Sequence, residues 1–242
     1  MLAAGSCAAD MDAATINAKI YAGRGKAAQR IGYTYNLFRP VIAANPLSQF
    51  ITYLPAAFNA GDNVYKRPSN YISPMWYADF DATLAQPGDY LIAQGNTPDP
   101  QKLFIAAKQS LLPIMAIGCD RTIRVESAVQ SGPSTGAMGY SGVCNNPAGY
   151  MDILGTSAAN NAGVMIGWPC AIIFGKGATS INSPLPTGTK KDVGWMIYLP
   201  PSVPIALGAG MHVADDLGRN FVIDGAELSG LGYRLQATEV HS

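Results

Sequence analysis

Pro87-Gly88-Asp89-Tyr90-Leu91-Ile92, followed after a turn-rich gap by Lys102-Leu103-Phe104-Ile105-Ala106, is the stretch on which the fold turns. It reads as a glycine turn, a short strand, a second turn and an aromatic-bearing strand. A β-hairpin of this kind needs turn residues that accept positive φ or that bond their own backbone. The same order of parts returns near the end of the chain. There Leu207-Gly208-Ala209-Gly210-Met211-His212-Val213 leads through Asp215-Asp216-Leu217-Gly218 into Arg219-Asn220-Phe221-Val222-Ile223. Two such hairpins point to two related β-modules, or to two halves of one.

Outward from these hairpins, short apolar or aromatic runs alternate with Gly, Pro, Asn and Asp clusters throughout the chain after Pro40. Strands are expected at 90–93, 103–107, 114–118, 122–125, 164–166, 171–174, 195–199, 211–214, 221–223 and 233–237. Many short strands with this punctuation predict a mainly β protein built of antiparallel β-sandwich or barrel modules. One N-terminal α-helix is expected over residues 12 to about 31, capped by Asp10 or Asp12. Ile16, Ile20, Ala27 and Ile31 fall near one face with Gly23, while Lys19, Arg24, Lys26 and Arg30 supply charge elsewhere. Residues 127–161 hold Asp152 as their one charge and read as a long loop or arm. The expected organisation is a segment and docking helix over 1–40, a first β-module over 41–126, the low-charge arm over 127–161, and a second β-module over 162–242.

Composition narrows the function. Of the 242 residues, 48% are hydrophobic and 13% are charged, the latter about half the roughly 25% of an ordinary soluble domain. Lys+Arg and Asp+Glu are 16 each, so the formal net charge is zero. Nucleic-acid binding is not expected, because such domains are strongly basic. Disorder is not expected either, since it goes with low hydrophobicity and high net charge. Net charge far from zero is what resists association, so this chain is suited to a surface covered by partners. No run of about 18 apolar residues is present, and membrane insertion is not expected.

The chemistry-bearing residues are sparse. Cys7, Cys119, Cys144 and Cys170 show no C-x-x-C spacing, and His212 and His241 lie far from them in sequence, so no metal site is expected. Gly23-Arg24-Gly25-Lys26-Ala27-Ala28 fits G-x-G-x-x-A formally but follows a helix rather than a strand, which argues against a dinucleotide cofactor. Gly139-Tyr140-Ser141-Gly142-Val143 lacks the last glycine of a nucleophile elbow. Asp79 with Asp81, and Asp215 with Asp216, could pair for acid–base work. Turn bonding is the preferred reading of the second pair and solvation that of the first. No catalytic residue and no cofactor is therefore assigned. The aromatic residues Tyr71, Trp76 and Tyr77 form a possible contact patch, since aromatics are enriched at interface centres.

Three blocks of the sequence resemble a known family. They are Ile16-Asn17-Ala18-Lys19-Ile20-Tyr21-Ala22-Gly23-Arg24-Gly25-Lys26-Ala27-Ala28-Gln29-Arg30-Ile31-Gly32; Gln86-Pro87-Gly88-Asp89-Tyr90-Leu91 with Phe104-Ile105-Ala106-Ala107-Lys108-Gln109-Ser110-Leu111-Leu112-Pro113-Ile114; and 215–223 with Ala226-Glu227-Leu228 and Leu231-Gly232-Tyr233-Arg234-Leu235. In order and together spanning most of the chain, they are similar to a family of tailed-bacteriophage and prophage proteins encoded beside virion structural genes. The ten residues before Met11 depart from that family's start. The resemblance implies a non-enzymatic structural part of the virion, in the tail, baseplate or neck. Such a subunit would be made in the bacterial host cytoplasm and located in the particle. Its partners would be copies of itself in a ring and other virion proteins such as tail tube, baseplate or connector components. Docking contacts are expected from Ile16, Lys19, Ile20, Arg24, Lys26, Arg30 and Ile31. The rival expectation is a carbohydrate- or receptor-binding β-protein of the virion that uses the aromatic patch.

Overall fold

The computed structural model describes residues 13–59, 74–109, 112–128, 150–159, 165–175 and 194–240. The protein is mainly β; the described residues hold one helix, α1 (Ala13–Ile31), ahead of the described strands. The first six strands are β1 (Tyr33–Arg39), β2 (Gln49–Asn59), β3 (Met75–Phe80), β4 (Tyr90–Ala93), β5 (Lys102–Ala107) and β6 (Ile114–Gly118). They close into an antiparallel barrel in the order β1-β2-β3-β6-β5-β4. Strand β4 returns to lie beside β1, so β4-β1-β2-β3 is a Greek key, and the β4–β5–β6 meander completes the ring.

The remaining strands are β7 (Arg121–Ala128), β8 (Tyr150–Leu154), β9 (Thr156–Ala159), β10 (Met165–Ile166), β11 (Trp168–Phe174), β12 (Gly194–Leu199), β13 (His212–Asp215), β14 (Asn220–Ser229) and β15 (Gly232–Val240). Strand β7 pairs with β13 on one edge and with β11 on the other, which closes a second ring, β7-β11-β12-β15-β14-β13. Strand β8 extends it by pairing with the far end of β7, and β9 with β10 forms a small separate ribbon.

The two rings have the same strand order, and their registers also correspond. In the first barrel Ile105 faces Ala116 and Ala116 faces Trp76; in the second, Ile223 faces Ala237 and Ala237 faces Trp195. Thr34 faces Pro55 as Thr122 faces Pro169. Each proline stands just before its strand gains its second neighbour, where one flank of the strand is still unpaired. A bulge follows Ile105 and another follows Ile223. The turns entering β4 and β13 match as well. Gly88 (φ 93°) donates to Ile105 O at 2.7 Å, and Gly210 (φ 83°) donates to Ile223 O at 2.8 Å. Both glycines occupy the left-handed region, which a side chain would disfavour. The hairpin echo in the sequence is thus one part of a duplicated barrel.

Burial explains which residues do this. In β4 and β5, Leu91, Leu103 and Ile105 point into the first barrel with Tyr35, Leu37 and Leu54. The alternate residues Tyr90 and Phe104 point outward and join the core of the second barrel. Strand β5 is therefore covered on both faces, which accounts for its unbroken apolar run Leu103–Ala107. Across the junction, the Tyr90 hydroxyl donates to Pro169 O at 2.8 Å and its ring meets Trp168 edge-on at 6.2 Å. The Trp168 indole N–H donates to Ala43 O at 2.7 Å, so this fully buried side chain is satisfied.

Several element boundaries differ from the sequence expectation. Strand β1 lies inside the expected 1–40 segment, yet Tyr35 and Leu37 are barrel core. Strand β7 straddles the expected 126/127 border and belongs to the second ring, because Ile123 and Val125 fill that ring's interior. Residues 150–159 of the expected arm form β8 and β9, with Leu154 fully buried; residues 129–149 and 160–161 lie outside the described residues. Strands β1, β2 and β3 are additions to the expected set, since their buried positions alternate with exposed aromatic and polar ones and form no compact apolar run.

Burial holds the Tyr90 hydroxyl well above its ordinary value of 10.0 and pushes Tyr35 up to about 12. Unfolded tyrosines ionise from about pH 10 while these two keep their protons, so the unfolded chain binds fewer protons there and stability falls as pH rises. Urea titrations between pH 8 and 12 should show this loss beginning near pH 10, with a slope approaching ~1.4 kcal/mol per pH unit for each group. Tyr90→Phe should lower stability at pH 8 by about 1 kcal/mol through its lost hydrogen bond, and should flatten the alkaline slope.

Candidate functional site

Three surfaces offer contacts: the helix, an aromatic stretch on the β1–β2 hairpin, and a groove where the barrels meet. The helix is docked on its own barrel, against β2 and β3. Its inward positions are Asn17, Ile20, Tyr21, Arg24, Gly25 and Ala28, at the three-to-four spacing of one helical face. Gly25 sets the approach: a Cβ there would stand 2.9 Å from the Asp81 Cβ. Arg24 reinforces the seat, donating to Leu112 O at 3.1 Å with its Nε 3.8 Å from the Asp79 carboxylate. Lys108 donates to Ala82 O and Ala85 O at 2.6 and 3.0 Å and stands over the Tyr21 ring; desolvation lowers its pKa.

The expected apolar stripe is therefore not the packing stripe. Of Ile16, Ile20, Ala27 and Ile31, Ile20 is half-buried on the inward face, Ile16 lies at its margin, Ala27 is exposed, and Ile31 is 71% exposed. The helix packs through small residues because they let its backbone approach the sheet closely. Among the expected polar contacts, Arg24 serves the chain's own barrel, while Lys19, Lys26 and Arg30 are on exposed positions.

The expected aromatic patch is divided. Trp76 packs against the first barrel's interior at its mouth; Tyr77, its neighbour on β3, faces the opposite side of the sheet. Tyr71 lies outside the described residues. A different aromatic row is on the outer face of the β1–β2 hairpin. Phe38 meets Phe50 at 5.8 Å and Phe50 meets Tyr53 at 4.7 Å. Phe50 and Tyr53 are exposed, as are Val41 and Ile42 in the turn of the same hairpin. The sequence signal for this row is the set of exposed positions on β2, which becomes readable only once β2 is known to be a strand.

The groove opens between the barrels and encloses about 670 Å³. Its aromatic and aliphatic lining includes Pro74, Trp76, Pro100, Ile173 and Phe174. Lys102, Asp120, Arg121 and Asp216 supply charge of both signs. Asp120 is fixed by accepting a hydrogen bond from Ile172 N at 3.1 Å. Cys119 borders the groove, and burial raises its thiol pKa and that of Cys170, which makes both poor nucleophiles. Sequence spacing could not assemble this site, because its walls come from β3, β5, the β6–β7 link, β11 and the β13–β14 turn.

Asp79, Asp81 and Asp215 bind neighbouring groups of the chain itself, while Asp216 lines the groove. Asp215, buried, accepts from Leu217 N and Arg219 N at 3.0 and 2.8 Å and binds the Arg219 guanidinium, so it closes the β13–β14 turn. Asp81 accepts from Thr83 N at 3.1 Å, and Asp79 faces Arg24. Among the described residues, no group of three or more His, Cys, Asp or Glu is placed to hold a metal ion, and no helix is long and apolar enough to cross a membrane. No protein-family model matches the chain, and searches of curated proteins and of solved structures find no significant match.

The helix seat is open to a direct test. Gly25→Val should force α1 off Asp81, lower stability by about 1–3 kcal/mol, and expose the 31–33 link to limited proteolysis. Lys26→Ala and Arg30→Ala, on the outward face, should leave stability within the range of ordinary surface substitutions, about ±0.5 kcal/mol by thermal melting.

Proposed function

We propose that this protein is a non-enzymatic structural subunit of a tailed-phage virion, placed in the tail, baseplate or head–tail junction. The observation that carries the reading is the apolar surface on the β1–β2 hairpin, where Val41, Ile42, Phe50 and Tyr53 are 56%, 52%, 44% and 61% exposed. Leaving apolar area in water forgoes roughly 25 cal/mol per Å², and exposed apolar groups in contact, as Phe50 and Tyr53 are at 4.7 Å, mark contact sites. Zero net charge gives no repulsion between copies. The resemblance of three ordered sequence blocks to proteins encoded beside virion genes supports the same role. Its partners are copies of the chain in a closed ring and neighbouring virion proteins. With the inner face of α1 committed to its own barrel, the helix presents Lys26, Arg30 and Ile31 to those neighbours.

Mass spectrometry and imaging of purified particles test the role. The chain is expected at a fixed copy number within the tail or neck, and its absence from infectious particles would overturn the reading. Phe50→Asp with Tyr53→Asp should leave the isolated fold intact, because both side chains are outward. The double variant should reduce incorporation at least tenfold, measured as subunit per particle.

A further inference from the structure

We propose that the groove between the barrels binds a neutral glycan chain, with the indole of Trp76 and the ring of Phe174 as its stacking surfaces. The groove volume of about 670 Å³ lies within the range of small-molecule sites, roughly 300–1,000 Å³. Its lining pairs aromatic rings with separate polar groups. The C–H face of a sugar ring carries partial positive charge and suits the negative π face of an aromatic ring. Its hydroxyls both donate and accept, so they match a wall that offers Lys102 and Arg121 as donors and Asp120 and Asp216 as acceptors. The charges cancel: a polyanion would meet the two carboxylates, and a polycation would meet the two basic groups. Two of these side chains, Asp120 and Arg121, are also held before any ligand arrives. Asp120 is tied to Ile172 N, and Arg121 donates back to Asp120 O at 3.2 Å. Such preorganisation lowers the ordering cost of binding.

The duplication supplies an independent argument. Trp195 occupies the position in the second barrel that Trp76 occupies in the first, each facing an alanine of the neighbouring strand. Over Trp195 lies the planar guanidinium of Arg219, 5.1 Å from the ring centre, held there by Asp215. In the first barrel the corresponding indole borders the groove instead. The second barrel thus covers its tryptophan with a flat polar group of its own, whereas the first leaves that position beside an open site. A pyranose ring is a flat-faced polar group that fits there. This inference does not depend on assembly, since a protein outside any particle could bind a glycan through the same groove.

The test uses the full chain and isothermal titration with linear hexasaccharides of glucose, galactose and N-acetylglucosamine. Heparin and a proline-rich peptide serve as charged and non-sugar probes. Binding of at least one neutral hexasaccharide is expected. It should weaken at least tenfold in Trp76→Ala and in Phe174→Ala, and stay unchanged in Leu84→Ala, an exposed apolar control. Trp76 also packs on the first barrel's core, so the deciding variant is Phe174→Ala, whose side chain is 54% exposed and whose fold can be checked by thermal melting. Three outcomes would overturn the proposal: no binding of any neutral hexasaccharide, unchanged affinity in folded Phe174→Ala, or preference for heparin or the peptide.

Discussion

The contact of Tyr90 with Trp168 and Pro169 is the constraint on which the rest of the structure depends. It joins the outer face of one barrel to the interior of the other, with a buried hydroxyl matched to a backbone carbonyl. Through it, β4 and β5 are covered on both faces, and the two barrels share one apolar cluster. Burying a polar atom this deeply costs free energy unless it is bonded. The requirement therefore selects one relative placement of the barrels from the many that apolar contact alone would allow. That placement creates the groove, whose walls come from both barrels.

The two barrels share one strand order and differ in the charges around it. The Ile–Ala–Trp row, the paired prolines and the entering glycines are retained in equivalent places. Around this shared frame the charges diverge. In the second barrel, Asp215 and Arg219 make a turn that stacks on Trp195. In the first, Arg39 and buried Asp89 tie β1 to the turn before β4, with Gln86 N also donating to Asp89. Few charges are present, and several of those found hold turns and seats inside the fold. Among the described residues, the two buried charges, Asp89 and Asp215, are both used in this way.

The legible part of the fold is its β character, the N-terminal helix and the two hairpins. These rest on local rules: turn residues at fixed places, short apolar runs, and a helical stretch free of proline. Strands β1 to β3 are harder to see because tertiary packing, and not a local apolar run, buries alternate residues such as Tyr35 and Leu37. The helix stripe differs from expectation for a similar reason. Hydrophobicity favours Ile16 and Ile31, whereas the seat selects small side chains at Gly25 and Ala28. Trp76 and Tyr77 look like parts of one patch because they are adjacent in sequence, but neighbours on a strand face opposite ways.

By itself, the sequence determined the fold class, the repeated hairpin and the neutral, sparsely charged composition. Each follows from residue type and spacing, which act within a few positions along the chain. Only the tertiary structure decided that the hairpins belong to two equivalent closed barrels. It alone decided that the helix seats on the first of them, and that Trp76, Asp120 and Phe174 share a groove. Those features depend on strand pairings and side-chain contacts between residues tens of positions apart. Ring closure and burial select among such pairings, and no local pattern encodes them.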